Sequence, residues 1–192
     1  MSDGKGLYLS YLYKPYLTPQ KAIHATLSAA VCAAEAIEES AGAKCQIKWV
    51  NDIIVGGKKA GGILTEGKFD ANGEYLYAVI GIGINLYKTN FPQELREIAT
   101  DIESQTGTSV DINLFAAKLI DKLFKSKNRH ENYLEEYRRR SAVIGKRVRI
   151  ENISETYEAI AEEINDRGEL VIKLDTGEVR NLTHGNLSVR IL

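Results

Sequence analysis

Little in this chain points to a metal, a membrane or an oxidising environment. Of its 192 residues only two are cysteines, Cys32 and Cys45, and three are histidines. Cys32 falls on the apolar side of a helical stretch and Cys45 just ahead of a strand. That spacing fits neither a metal site nor a disulfide framework, so a reducing, cytoplasmic setting is expected. His24, His130 and His184 are spread over two helical stretches and a turn, which argues against a histidine triad or cluster. No apolar run approaches the ~18–20 residues needed to cross a bilayer, and the start carries no signal-peptide pattern. A basic excess is missing too: 25 Lys and Arg against 26 Asp and Glu give a net charge of -1, unlike a nucleic-acid or membrane-surface binder. The one basic cluster, Arg138–Arg140, sits where a long helix should end and where cations complement the helix dipole. Internal repeats and low-complexity segments are absent.

What is present suits one core with a small appendage: 44% of residues are hydrophobic and 27% charged. "LYLSYLY" (7–13) reads as a buried strand. Thr18-Pro19 follows as N-cap and first residue of a helix. Ile23, Leu27, Ala30, Val31, Ala34 and Ile37 keep the helical repeat and Gly42 stops it, so one face should pack on a sheet. Residues 45–85 read as a meander, with strands near 46–50, 53–56, 59–68 and 75–85 and turns at Gly56-Gly57 and "DANG" (70–73). Two helices are expected next, over about 92–106 and from Asp111 to about Arg139, the second with Leu114, Phe115, Leu119, Leu123 and Phe124 inward. Tyr8, Tyr75, Tyr133 and Tyr137 occupy core-facing positions on this reading.

From about residue 143 five short strands are expected, near 146–152, 156–165, 169–174, 178–183 and 187–191, with turns "DRG", "DTG" and "HGN". That is the pattern of a small barrel, too small for a cleft of its own. Its seven Lys/Arg and nine Asp/Glu between 141 and 192 are near balance and argue against nucleic acid. The fold class is therefore α+β. A mixed or antiparallel sheet with helices on one face fills 1–141, and a small β-barrel fills 142–192.

The chemistry concentrates in "KWVNDIIVGGKKAGGILTE" (48–66) and "VIGIGIN" (79–85). Gly61, Gly62, Gly81 and Gly83 fall on two adjacent strands, where glycine weakens a sheet unless a ligand or another backbone comes close. Lys59 beside such a floor suits a phosphate or carboxylate, Asp52 could orient an amine or accept its proton, and Asn85 could hydrogen-bond the same ligand. The plain alternative stays open: a bulge at the glycines, Lys59 in solvent, Asp52 capping a turn and Asn85 ending a strand.

These motifs resemble the catalytic core of the biotin protein ligases, whose usual form is K-W-P-N-D, then K-[KL]-x-G-I-L-x-E, then G-x-G-x-N. "GLYLSYLYKP" at the start and "HGNLSVR" near the end are similar to that family as well. The resemblance implies a class II synthetase-like core followed by an SH3-like barrel. It also implies an enzyme that joins biotin to ATP as biotinyl-5′-adenylate with Mg²⁺, then passes biotin to a lysine of a carboxyl-carrier protein. On that basis Lys59 and Asp52 would be catalytic. Lys48, Asn51, Lys59, Gly61, Gly62, Gly81, Gly83 and Asn85 would bind the ligands, with no protein-held metal.

Two departures stand out. Val50 replaces the usual proline of the motif, and the family's G-R-G-R-x-G-R loop and N-terminal DNA-binding domain have no counterpart in these residues; "DGKG" near the start lacks the clamping arginines. Other readings are a non-catalytic biotin or adenylate module, a homodimerisation fragment, and a lipoate-ligase-like acyl transferase. Without the arginine loop, pyrophosphate release from biotin and ATP by these residues alone is expected to be weak or absent; robust release by the purified chain contradicts this.

Overall fold

The computed structural model describes residues 4–14, 19–72, 75–126, 133–152, 155–183 and 187–192. Strand β1 (Gly6–Tyr13) leads to helix α1 (Pro19–Ala41), followed by β2 (Cys45–Lys48), β3 (Asp52–Val55), β4 (Lys58–Phe69) and β5 (Tyr75–Asn85). These strands form one antiparallel sheet in the order β1-β5-β4-β3-β2. Gly42 closes α1 in the left-handed conformation at φ 67°, its N–H returning to the Glu38 carbonyl at 2.9 Å. Thr18, the expected cap at the other end, lies outside the described residues, as do His130, His184, Gly73 and the turn 184–186.

Helix α1 lies against one face of the sheet, while α3 (Ile112–Ser126) and α4 (Tyr133–Arg139) pack on its far side. It is therefore buried on two sides rather than the one expected. Ala29, Ala30, Ala33, Ala34 and Ala36 are almost wholly covered along with Leu27 and Ile37. Small side chains let three layers stack closely here. Asp111 starts α3 as expected, its carboxylate accepting from the N–H groups of Asn113 and Leu114.

Several expectations are corrected. The stretch 92–106 is not one helix: it holds a 3₁₀ turn (Gln93–Leu95) and a short α2 (Ile102–Thr106) capped by buried Asp101. Residues between them pair with β4 instead, Lys59 N–H donating to Ile98 O and Thr100 N–H to Lys59 O. The helix expected from Asp111 to about Arg139 is described as α3 and α4, and residues 127–132 lie outside the described residues. On α3, Phe115, Leu119 and Leu123 form the buried stripe; Leu114 and Phe124 lie off it and are exposed. Strand β1 is an edge strand with only one face covered. Leu7, Leu9, Tyr11 and Tyr13 pack on the core, and Tyr8 and Leu12 are exposed.

A second antiparallel sheet runs in the order β10-β6-β7-β8-β9, from β6 (Arg147–Asn152), β7 (Thr156–Ile164), β8 (Leu170–Lys173), β9 (Val179–Leu182) and β10 (Leu187–Ile191). Alternate residues such as Val148, Ile150, Ala159, Ala161 and Ile172 bury its inner face. No helix among the described residues is long and apolar enough to cross a membrane.

Arg140, just past α4, joins the layers. Its guanidinium grips both oxygens of Glu38 on α1, at 2.6 and 2.8 Å, and Glu136 on α4 at 2.6 Å, with its side chain only 7% exposed. Hydrogen bonds from Arg140 hold the Glu38 carboxyl below its ordinary range; Glu136 is lowered first by Arg139 and then by Arg140. Carboxylates depressed in this way stabilise the fold fully above the unfolded glutamate value of about 4.3, and the benefit disappears as pH falls through the lower folded values. Arg140→Ala is expected to cost roughly 2–4 kcal/mol near neutral pH, because it strands the partly buried Glu38 carboxylate, while Glu136 keeps Arg139. The deficit should shrink on acidification below about pH 4. Denaturant unfolding of both proteins across pH 3–7 measures it.

Candidate functional site

Strand register assembles the site. Tyr8, Gly83, Gly62, Asp52 and Lys48 stand in one row across all five strands of the first sheet, and Ser10, Gly81 and Leu64 form the next. Both rows face away from α1, because the alternating Ile63, Ile80, Ile82 and Ile84 fill the helix-facing side. Glycine at three of these positions leaves a floor of bare backbone. A Cβ on Gly81 would meet nothing nearer than Leu64 O at 3.7 Å and Ser10 Oγ at 3.9 Å, so it would stand in open groove.

Lys59 reaches this face through a β-bulge. Ile53 pairs with Gly61 but Ile54 pairs with Lys59, which leaves Ala60 as one extra residue on β4. Ala60 and Gly61 are both buried, and Lys59 shares a face with Gly62. Strict alternation through Ala60, with no bulge, would put Lys59 on the same side as Gly61 and turn it towards the helices. The bulged backbone is satisfied by residues 98–100, and Asn85 Nδ2 secures that segment by donating to Thr100 O at 3.0 Å. A neighbouring turn joins β2 to β3 and includes a cis Trp49–Val50 peptide. Asn51 staples it to β4, Nδ2 donating to Ile63 O at 2.6 Å while Ile63 N–H returns to Asn51 O at 3.0 Å.

Three charges meet at the end of the floor. Lys59 Nζ lies 2.5 Å from Asp52 Oδ1, and Lys48 Nζ lies 3.7 Å from Asp52 Oδ2. Two ammoniums on one carboxylate leave a net positive charge. The Lys59 side chain is 49% exposed and the Asp52 side chain 19%, so the lysine keeps a face open to an incoming anion. Behind them the buried Tyr137 hydroxyl donates to Val50 O at 2.9 Å. Its pKa is pushed well up, first by burial and then by the Asp52 charge, so it stays a donor. The groove encloses about 390 Å³ between Lys59 and Asn51 at one end and Tyr8, Ser10 and Leu64 along its length. Such a shape accepts an elongated ligand with an anionic group at the lysine end. A divalent cation does not fit. Asp52 is already matched by two lysines, and no group of three or more His, Cys, Asp or Glu gathers among the described residues.

The structure thus brings Lys48, Asn51, Asp52, Lys59, Gly62, Gly81 and Gly83 together around one groove. Two expected residues stand apart. Asn85 follows Gly81 and Gly83 on the same face of β5, but its amide is engaged in holding the 98–100 segment. Gly61 turns to the helix side, where its Cβ would lie 2.4 Å from Gly83 O and 2.6 Å from Ile84 Cδ1. Its glycine serves strand packing. Ser10 and Leu64 carry no expectation as site residues from the sequence, and Tyr8, expected in the core, is exposed on the groove instead. Alternation within "LYLSYLY" carries the signal for Tyr8 and Ser10, since Leu7, Leu9 and Tyr11 claim the core side.

Residues 2–85 match the Biotin/lipoate A/B protein ligase family, and residues 143–190 match the Biotin protein ligase C terminal domain. The Bifunctional ligase/repressor BirA of Bacillus subtilis is 32% identical over 91% of this chain and 56% of its own length. The Biotin--[acetyl-CoA-carboxylase] ligase of Mycobacterium tuberculosis is 32% identical over 70% of this chain and 49% of its own. The chain thus spans about half the length of these curated relatives. A biotin protein ligase from Aquifex aeolicus, solved in complex with biotin and ATP, aligns with a TM-score of 0.83 over 98% of this chain and 79% of that one. Its sequence identity is 23%, so that likeness establishes the fold alone.

The two kinds of glycine separate experimentally. Gly61→Ala should lose roughly 1–3 kcal/mol by overpacking. Gly81→Ala should leave stability within about 1 kcal/mol. Denaturant midpoints at constant m-value check both.

Proposed function

Because the chain belongs to the biotin protein ligase family, we propose that its groove takes biotin, activates it with ATP as biotinyl-5′-adenylate, and passes it to a lysine of a carboxyl-carrier protein domain. The observation that carries this reading is the Lys59–Asp52 pair at the end of a glycine floor, 2.5 Å apart and half open on the lysine side. In the first step a biotin carboxylate oxygen bonds to the α-phosphorus of ATP as the bond to pyrophosphate breaks. The Lys59 ammonium faces the oxygens on which negative charge gathers, where a fixed cation is most useful. ATP enters as its Mg²⁺ complex, since the groove offers that ion a single, already paired carboxylate.

In the second step the acceptor amine bonds to the acyl carbon and AMP leaves with the bonding pair. Asp52 is placed to orient the amine and accept its proton, and Lys48 keeps a counter-charge beside it throughout. Tyr8 and Leu64, both more than half exposed, supply apolar walls for the body of the ligand. Lipoate, the other acyl substrate in the family's description, is the second reading. The match of residues 143–190 to the biotin-branch domain favours biotin.

Calorimetric titration with biotin and with a non-hydrolysable biotinyl-adenylate analogue tests the reading, with lipoate as competitor. Lys59→Ala should weaken analogue binding and any biotin-dependent pyrophosphate release by ~100-fold or more. An unchanged affinity in that variant, or a wild-type chain silent to both ligands, rejects it.

A further inference from the structure

The turn Trp49–Asn51, which delivers Asp52, is held at each residue by a different part of the molecule. Asn51 is tied to β4 within the sheet, and Val50 O accepts from Tyr137 on α4. Trp49 is secured from the second sheet: its Nε1–H donates to Gly168 O, at the tip of the β7–β8 hairpin, across 3.0 Å. The indole is 6% exposed, so neither donor nor acceptor has ready access to water.

The hairpin tip is itself fixed. Gly168 has φ 78°, and a Cβ there would fall 2.9 Å from Leu27 Cδ1 and 3.3 Å from Ile23 Cδ1 on α1. Arg138, on the same helix as Tyr137, donates to Ile164 O at 2.6 Å and to the Asp166 carboxylate at 2.7 Å. Hairpin, α1 and α4 therefore form one rigid frame behind the turn.

We infer that the β7–β8 hairpin is a positioning element of the groove, setting through Trp49 the turn from which Asn51 and Asp52 face Lys59. No ligand need touch it. With Asn51 held to β4 and Val50 to Tyr137, the indole is the third anchor of the turn, and releasing it shifts the strand end against Lys59. Trp49, Tyr137 and Gly168 act on the reacting groups only through that turn. The identity of the ligand rests on the proposed function, whereas the placement of the turn does not.

Two variants test this. Trp49→Phe keeps most of the packing and deletes the donor. Gly168→Ala forces the tip off α1 and leaves Trp49, the single tryptophan, as reporter. In the ligand-free chain both variants should shift the Asp52 side-chain carboxyl and Lys59 Nζ resonances, and Gly168→Ala should move Trp49 emission to longer wavelength. Adenylate formation should lose ~10-fold or more in kcat while KM for biotin stays within ~3-fold, the mark of misplacement rather than lost binding. Lower melting temperatures with unchanged Asp52 and Lys59 resonances would reduce the hairpin to a structural contact and overturn the inference. Should the wild-type chain make too little adenylate to measure, as expected of these residues without the arginine loop, the ligand-free resonances still decide the positioning role, and the ligase reading is decided separately by the analogue titration.

Discussion

A β-strand offers a side chain only two faces, and the whole site depends on how β4 breaks that rule once. Ala60 is the extra residue. Because it is buried and unpaired in the register, Lys59 comes out on the groove side beside Gly62. Everything around the bulge serves to make it tolerable. Residues 98–100 satisfy its backbone, Asn85 holds them, and Gly61 allows β5 to approach where any Cβ would collide with Gly83 O. The lysine then finds Asp52 because the regular register of β3 against β4 places Asp52 opposite Gly62.

The opposite face of the sheet shows a second constraint, that of thickness. An alanine-rich α1 has to fit between strands and a second helical layer, and small side chains are what make that spacing possible. Polar groups in this narrow space are few and, apart from the buried Ser40 hydroxyl, engaged among the described residues. Arg140 is the main example, its charge divided between Glu38 and Glu136 while it anchors the segment that closes β2. Ile47 N–H donates to Arg140 O and Ala142 N–H to Ile47 O, so one edge of the sheet is sealed by the same residue that joins the helices.

Most of the strands were legible because their signals are local: turn dipeptides such as Gly56-Gly57, and short apolar runs such as 53–55 and 170–172. The glycine and lysine motif was legible as a motif, through its likeness to a known family. Which glycines face the groove was not. A one-residue bulge inverts the facing of every residue beyond it, and no composition rule announces Ala60. Helical propensity over 92–106 was overruled by the unpaired backbone at Lys59, a tertiary demand no local window contains. Tyr8 was misplaced for a simpler reason. An aromatic strand reads as buried until something identifies it as an edge, and only the strand order does so.

The pairing of β1 with β5 carries a kinetic consequence. Hairpins from β2 through β5 each close over short turns, whereas Tyr8 must meet Gly83 across the entire intervening chain. Long closures of this kind are slow and are favoured only once the intervening structure exists. The wall that Tyr8 and Ser10 contribute is thus expected to close late in folding. A ligand that needs this wall binds the native chain in preference to the unfolded one and so adds to its stability by mass action.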